Sequence, residues 1–495
     1  MTELSEKFAI EPSSEAEKAS KEVKKKSVSI RIALFFDGTL NNRLNINARE
    51  QKKSAYSNKP KGFLGLFKRG DSNSFDNGRT NINIMQEQID PTAKIAGFDY
   101  STSIYIEGQG TFNEHEDSTV GYAFGAGGSG VASRANLGVQ KAVSAFGDFE
   151  EEGLNTDEFY IKELTFDVFG FSRGAATARY AIHQLLKSKR NIEKRLTSLG
   201  YELEEKAVTV AFAGLYDTVL SYMGAQMFKL DVPKLKQNAH KDAKKVLHLA
   251  SAEEHRADFP VHDIKCSIDQ GSGEEYFLPG VHSDVGGSYN MADEEKIKNE
   301  PDLEKQKELI MVRRNETELL INEGSLVEIE LDKATLIKQG WFRGKVNQRS
   351  KEQVEHDAQK TIEQAIKLQK FEVVLPTDGE FTTTLNFDYD EDFDDFYFDY
   401  AALTITRIDI ITGYSSIPLK IMAEYAKKEA LLTFKPEMLN RADAVIEVSQ
   451  LGVLEKKVND YIKNKPKGSL AKDWLEGDLN QFLKDYRHDH LNFSS

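Results

Sequence analysis

Residues 164–180 read LTFDVFGFSRGAATARY, and this stretch decides the fold. Leu164, Phe166, Val168 and Phe169 form a short apolar run rich in aromatic and β-branched side chains, the pattern of a buried strand. Gly170-Phe171-Ser172-Arg173-Gly174 follows at once, and residues 175–186 then read as a helix. Strand, Gly-x-Ser-x-Gly, helix is the context that turns a five-residue match into a nucleophile elbow; without those flanks the pattern is a loop that arises often by chance. The glycines are needed because side chains on so tight a turn would strike the strand and the helix. Ser172 is expected on a strained turn with its hydroxyl exposed, at the positive end of the helix.

A nucleophilic serine of this kind needs an acid and then a histidine, in that chain order. Residues 208–215 (VTVAFAGL) form a second buried-strand candidate, which runs into Tyr216-Asp217-Thr218-Val219. An Asp just past a strand's carboxyl end is where open α/β sheets place functional side chains. Residues 275–278 (EYFL) lead into Pro279-Gly280-Val281-His282-Ser283-Asp284, a glycine-flanked loop from which the His282 ring can reach back to Ser172. Both spacings leave room for a crossover helix. Asp217 could instead cap the next segment, and His282 could be a buried hydrogen-bonding residue. Asp284 is the reserve acid, placed awkwardly only two positions beyond the histidine.

Together GFSRGAA, LYDTV and PGVHSDVGG, with FFDGTLNN near the start, resemble the first family of lipase effectors of bacterial type VI secretion systems. The matching segments run from about residue 30 to 289 and resume weakly near Gly340-Trp341 and residues 411–426. The resemblance implies an α/β-hydrolase acting as a phospholipase, with Ser172 as nucleophile, Asp217 as acid and His282 as base. It implies membrane phospholipid as substrate, with a secretion spike protein and a cognate immunity protein as partners. Delivery to a target cell's periplasm or membrane follows from the same likeness, and the composition of residues 1–27 leads us to expect synthesis in the cytoplasm without a signal peptide. Such a reaction needs no metal or organic cofactor.

Residues 28–36 (VSIRIALFF) read as the first strand, followed by Asp37-Gly38-Thr39-Leu40-Asn41-Asn42. The loop is similar to the opening of haloacid-dehalogenase phosphatases, but Phe35 stands where their attacking carboxylate would be, which removes that mechanism. The better reading is a loop whose amides, at Gly38 and Thr39, complete an oxyanion hole with the N–H of Arg173. Asp37 either serves that site or simply braces the loop.

Composition bounds the rest. Hydrophobic residues make up 39% of 495 and charged residues 29%, ordinary for a protein with a sizeable core. A net charge of −15 argues against nucleic acid and against simple adsorption to anionic lipid. Cys266 is the single cysteine, so no intrachain disulfide forms. No run of about 18 apolar residues is present, so no spanning helix is expected. Residues 1–27 alternate Glu with Lys around no apolar centre, which reads as a mobile tail or a short docking helix rather than a secretory signal.

Within the polar stretch 53–81, Phe63, Leu64, Leu66 and Phe67 lie between Lys59, Lys61, Lys68 and Arg69. Apolar residues framed by cations suit a tip that dips into lipid, or a lid that packs on its own protein. Residues 103–107 read as a further strand, ending in a tight turn at Gly108-Gln109-Gly110-Thr111. Gly125-Ala126-Gly127-Gly128-Ser129-Gly130 satisfies G-x-G-x-x-G before a helix at 131–146, but no buried strand precedes it, so it is read as letting that helix start near the site.

After residue 293 the character changes. Residues 294–322 and 351–370 show charged helical patterns, and 371–387 alternate like strands around Thr377-Asp378-Gly379. The carboxylates of residues 388–396 (DYDEDFDDF) could hold calcium, though an EF-hand's glycine and terminal Glu are missing; a solvated acidic edge is the commoner outcome. Residues 403–411 read as a return to a core strand, 415–430 as a helix, and the remainder to about 486 as amphipathic helix.

The expected fold class is α/β: an α/β-hydrolase-like, mostly parallel sheet flanked by helices, with an inserted α+β module. The expected divisions are the tail at 1–27, the core at 28–292, an insertion at 293–400 serving as lid or partner module, and core completion with C-terminal helices at 401–495. The expected function is a serine esterase or phospholipase of A1 or A2 type. A serine hydrolase for a soluble ester, or a non-enzymatic cargo module with a vestigial elbow, is the alternative.

Overall fold

Parallel strands cannot be joined by tight turns, so each apolar run in the first half of the chain needs a crossover before the next. The computed structural model describes residues 25–51, 74, 77–113, 130–220, 235–252, 254, 260–288, 314–338, 349–376, 381–410, 412–448 and 451–464. Six strands form one sheet: β1 (Lys26–Phe36), β2 (Tyr100–Ile106), β3 (Phe159–Phe171), β4 (Val208–Tyr216), β5 (Lys245–Ser251) and β6 (Gly273–Leu278). Their order is β2-β1-β3-β4-β5-β6, and every pairing is parallel. The chain leaves β1 on one side to form β2 and returns on the other to form β3. The carboxyl ends of β1 and β3 therefore flank a topological switch point, where open α/β sheets place their sites.

The helices are α1 (Arg43–Glu50), α2 (Asn81–Glu87), α3 (Val131–Glu151), α4 (Arg173–Leu186), α5 (Ile192–Ser198), α6 (Lys265–Asp269), α7 (His282–Gly286), α8 (Leu326–Lys338), α9 (Lys351–Ile366), α10 (Ser416–Glu429), α11 (Pro436–Val448) and α12 (Gly452–Asn464). On one face of the sheet, Ile32, Leu34, Phe166 and Val168 pack with Val139 and Phe146 of α3 and with Ile182 and Leu185 of α4. On the other, Phe35, Phe169 and Phe212 meet Met85 of α2 and Leu419, Met422 and Ala426 of α10, with α11 and α12 extending the same cluster. Burial on both faces is why β1 and β3 read as nearly unbroken apolar runs. The buried charged residues of these two strands are Arg31 and Asp167, paired through two bonds of 2.8 and 3.0 Å. Arg31 also donates to the Glu429 carbonyl at 2.8 Å, satisfying the C-terminus of α10.

A second, antiparallel sheet has the order β7-β10-β9-β8, from β7 (Arg314–Gly324), β8 (Glu372–Val374), β9 (Phe381–Asp390) and β10 (Asp395–Ile410). It carries its own apolar cluster, in which Leu385 and Leu403 meet Ile329 of α8 and Ala358 of α9. The chain is thus α/β, with a mostly parallel helix-flanked sheet and an α+β module.

Two expectations are corrected. Residues 314–322, expected in a helix, belong to β7, because pairing with β10 overrides a charged, weakly periodic local pattern. Residues 403–410, expected to rejoin the core sheet, are the second half of β10, which runs across the division expected at residue 400. An apolar strand suits either sheet, and only its partners decide which.

Candidate active site

The elbow forms where β3 meets α4. Ser172 has φ 59° and ψ −131°, a conformation that residues with a Cβ rarely adopt, and its side chain makes no bond capping α4. Two close approaches impose the turn. A Cβ on Gly170 would lie 2.5 Å from the Gly174 carbonyl oxygen, and one on Gly174 would lie 2.3 Å from that of Asp37. Contrary to the exposed hydroxyl expected, Ser172 is only 4% exposed, because it follows the interior strand β3 and is enclosed by the segments after β1 and β4.

Asp217 follows β4 at φ 36°, again left-handed. The Ser172 N–H donates to the Tyr216 carbonyl at 3.0 Å and the Val219 N–H to the Ser172 carbonyl at 3.4 Å, so the two loops are bonded to each other. His282 opens α7, and its ring lies 4.6 Å from that of Phe171, the neighbour of Ser172. Its Nδ1 is 2.6 Å from Asp217 Oδ2. The structure therefore brings Ser172, Asp217 and His282 to one end of the sheet.

Asp284, the reserve acid, instead accepts the Val281 N–H at 2.8 Å and caps its own short helix. Sequence reading missed Ser251, at the end of β5. Its N–H donates to Asp217 Oδ1 at 2.8 Å and its hydroxyl to Oδ2 at 2.7 Å, so the carboxylate has three donors, all buried. The nearly unbroken apolar run Val246-Leu247-His248-Leu249-Ala250 could have marked a buried strand, but nothing local singles out Ser251 itself.

The loop after β1 lies against the elbow. Asp37 is buried, accepting Gly38 N–H at 2.8 Å, the Thr80 hydroxyl at 2.6 Å and the Tyr105 hydroxyl at 2.5 Å. Burial raises its pKa above the usual carboxylate value, and those donors act against the rise. Of the two roles left open for Asp37, this is the geometry of a brace. The Gly38 amide is consequently engaged by the neighbouring carboxylate. A Cβ on Gly108 would fall 1.7 Å from the Gly38 carbonyl, which is why the turn after β2 begins with glycine.

Phe63, Leu64, Leu66 and Phe67 lie outside the described residues, as do Gly125 to Ser129; Gly130 directly precedes α3. The acidic residues 388–395 form the tip joining β9 to β10. Among the described residues no group of three or more His, Cys, Asp or Glu is arranged to hold a metal, and no helix is long and apolar enough to cross a membrane.

Residues 183–313 match the model of a family described as the catalytic domain of Tle1-like phospholipase effectors of type VI secretion. No curated protein matches the chain. A solved structure of the Tle1 effector bound to the VgrG spike of the type VI secretion system is 20% identical, with a TM-score of 0.46, over 91% of this chain and 83% of that one. An uncharacterized protein from Pseudomonas aeruginosa is 19% identical, with a TM-score of 0.30, over 54% of this chain and 42% of that one. The segment that holds Asp217 and His282, though not Ser172, is thus similar in sequence to the catalytic domain of type VI secretion phospholipase effectors of the Tle1-like kind.

Proposed function

We propose that this protein is a serine esterase that hydrolyses acyl esters of glycerophospholipids, as a type VI secretion effector. The observation that carries the chemistry is the strained, uncapped Ser172 beside a buried Asp217–His282 pair bonded at 2.6 Å. His282 donates Nδ1–H to Asp217, which leaves Nε2 to take the Ser172 proton as Oγ attacks the ester carbonyl. The Arg173 N–H at the start of α4 and the Thr39 amide are the proposed oxyanion donors, since Gly38 N–H is held by Asp37. His282 then protonates the leaving alcohol, and water cleaves the acyl-enzyme with His282 again as base. The lipid substrate rests on the similarity of residues 183–313 to the catalytic domain of Tle1-like type VI secretion phospholipase effectors, and a secretion spike partner goes with that reading. A cognate immunity protein and delivery to the target cell envelope belong to the same reading.

The test pairs phospholipid vesicles with a fluorophosphonate probe. Wild-type protein is expected to release fatty acid and to be labelled at Ser172, and Ser172→Ala to lose at least about 10³ in turnover while remaining folded. An Ala variant that turns over near the wild-type rate would overturn the assignment. Hydrolysis confined to soluble esters would leave the serine mechanism standing and remove the lipid. Positional analysis of the released lysolipid separates A1 from A2 cleavage.

A further inference from the structure

The loop that carries Asp217 is held by a second histidine–carboxylate pair that the proposed reaction does not use. A left-handed φ of 36° is costly for aspartate and persists only where the surroundings over-determine it. The next residue supplies the restraint, because every polar atom of Thr218 is engaged. Its N–H donates to His248 Nε2 at 3.1 Å, its carbonyl accepts the His262 N–H at 2.9 Å, and its hydroxyl accepts from Arg179 at 2.9 Å. Behind it, His248 Nδ1 lies 2.8 Å from Glu275 Oε1, its register partner across the β5–β6 ladder. Thr218, His248, Arg179 and Glu275 are all buried.

The proton positions follow from the donor inventory. A backbone N–H only donates, so His248 Nε2 is the accepting nitrogen and the ring proton sits on Nδ1, given to Glu275. Glu275 thereby fixes the tautomer that Thr218 requires. Arg179 also donates to the carbonyls of His262 and Asp263, at 2.7 and 2.9 Å, tying the Asp217 loop to the strip that bridges back to it at Val219 and Val261.

We propose that Thr218, clamped by His248 and Arg179, is a positioning residue: it holds Asp217 in its strained backbone and so aims Oδ2 at His282 Nδ1. This rests on the roles proposed above for Ser172, Asp217 and His282. In this role the clamp residues act on the reaction through Asp217.

Four variants test it, with turnover of a soluble ester normalised to active sites titrated by the fluorophosphonate probe. His248→Asn keeps a donor toward Glu275 but is too short to accept from Thr218, whereas His248→Gln restores that reach. Thr218→Val removes the hydroxyl at constant shape, and Thr218→Ser keeps it. The Asn and Val variants are expected to lose about tenfold or more in kcat per titrated site, because a misplacement of ~1 Å near the chemistry costs up to about 10². Their KM should stay within about twofold, since ground-state binding is untouched. The Gln and Ser variants should recover most of the loss. A merely structural role would lower the fraction of titratable sites and the Tm, not kcat per site. Wild-type kcat per site in both His248→Asn and Thr218→Val overturns the proposal. If His248→Asn does not fold, the Thr218 pair decides alone. Failure of the probe to label Ser172 in wild-type protein would instead sink the reading of the site itself.

Discussion

Three donors converge on one carboxylate at Asp217, and this separates it from Asp284, which is occupied in capping its own helix. Asp217→Asn would present an amide donor to a donor and favour the wrong His282 tautomer, so kcat is expected to fall by up to about 10⁴. Asp284→Asn keeps an oxygen for the Val281 N–H and loses the negative charge at the start of α7, which should cost about 0.3–1 kcal/mol of stability with far less effect on kcat. The comparison is kinetic, paired with thermal melts; a larger kcat loss in the Asp284 variant would mean that the acid is misassigned. Ser251→Ala deletes one bond to the charged oxygen, of a kind worth about 1.5–3 kcal/mol, and should slow turnover by about tenfold. Unchanged turnover there would show that the Ser251 N–H alone holds the carboxylate.

The elbow and the β1 loop are one mechanical unit at the scale of elements, because the start of α4 touches the backbone after β1. Gly174→Ala would place a methyl 2.3 Å from the Asp37 carbonyl oxygen, with only backbone to give way. A stability loss of about 1–3 kcal/mol is expected from such overpacking, together with lower turnover as the loops separate. Gly147→Ala is the control. It lies in α3 with nothing within 4 Å of the added Cβ, so it should stabilise by about 0.5–1 kcal/mol through helix propensity. Chemical denaturation of the two variants checks both signs, and equal effects would contradict the close-approach argument.

For the molecule as a whole, acid stability should depend on histidines that the fold keeps neutral. Burial, aided by the Arg179 charge, pushes His240 down to about 2 and His262 down to about 4. A histidine with a depressed folded pKa contributes stability that is full above about 6.5 and is lost as pH falls, because the unfolded chain takes up the proton first. Asp167 acts in the opposite sense. Burial raises it to about 6, against the Arg31 bond, so it regains stability as pH falls from there toward its unfolded value. Asp37 is raised as well, but His183, Glu107 and Glu274 are lowered and lose stability with the two histidines as pH falls, so net stability should decline from pH 6.5 to 4. His240→Gln should flatten the decline by about 1.4 kcal/mol per pH unit, read as the difference between urea midpoints of variant and wild type. Parallel pH curves would mean that His240 takes up its proton in the folded state.

The order of the site was legible in the sequence because it is local. The apolar run to Phe169, the glycines around Ser172 and the strand before Asp217 each carry their own steric and periodic signature, so a parallel sheet with a serine at a strand end could be read directly. Ser251 was not legible, since nothing near it in the chain marks it; it reaches Asp217 only because β5 lies beside β4 in parallel register. His248 and Glu275 become partners for the same reason, through the register of β5 on β6. Nor could the sequence show that the Asp37 carboxylate engages the Gly38 amide, which depends on Thr80 and Tyr105 holding that side chain from distant segments. Residues 314–322 and 403–410 have patterns that fit more than one element or sheet, and pairing energy chose between them. Local sterics and hydrophobic period are properties of neighbouring residues. Register, burial and the partners of a buried carboxylate are properties of contacts between segments far apart in the chain, and only the folded molecule decides them.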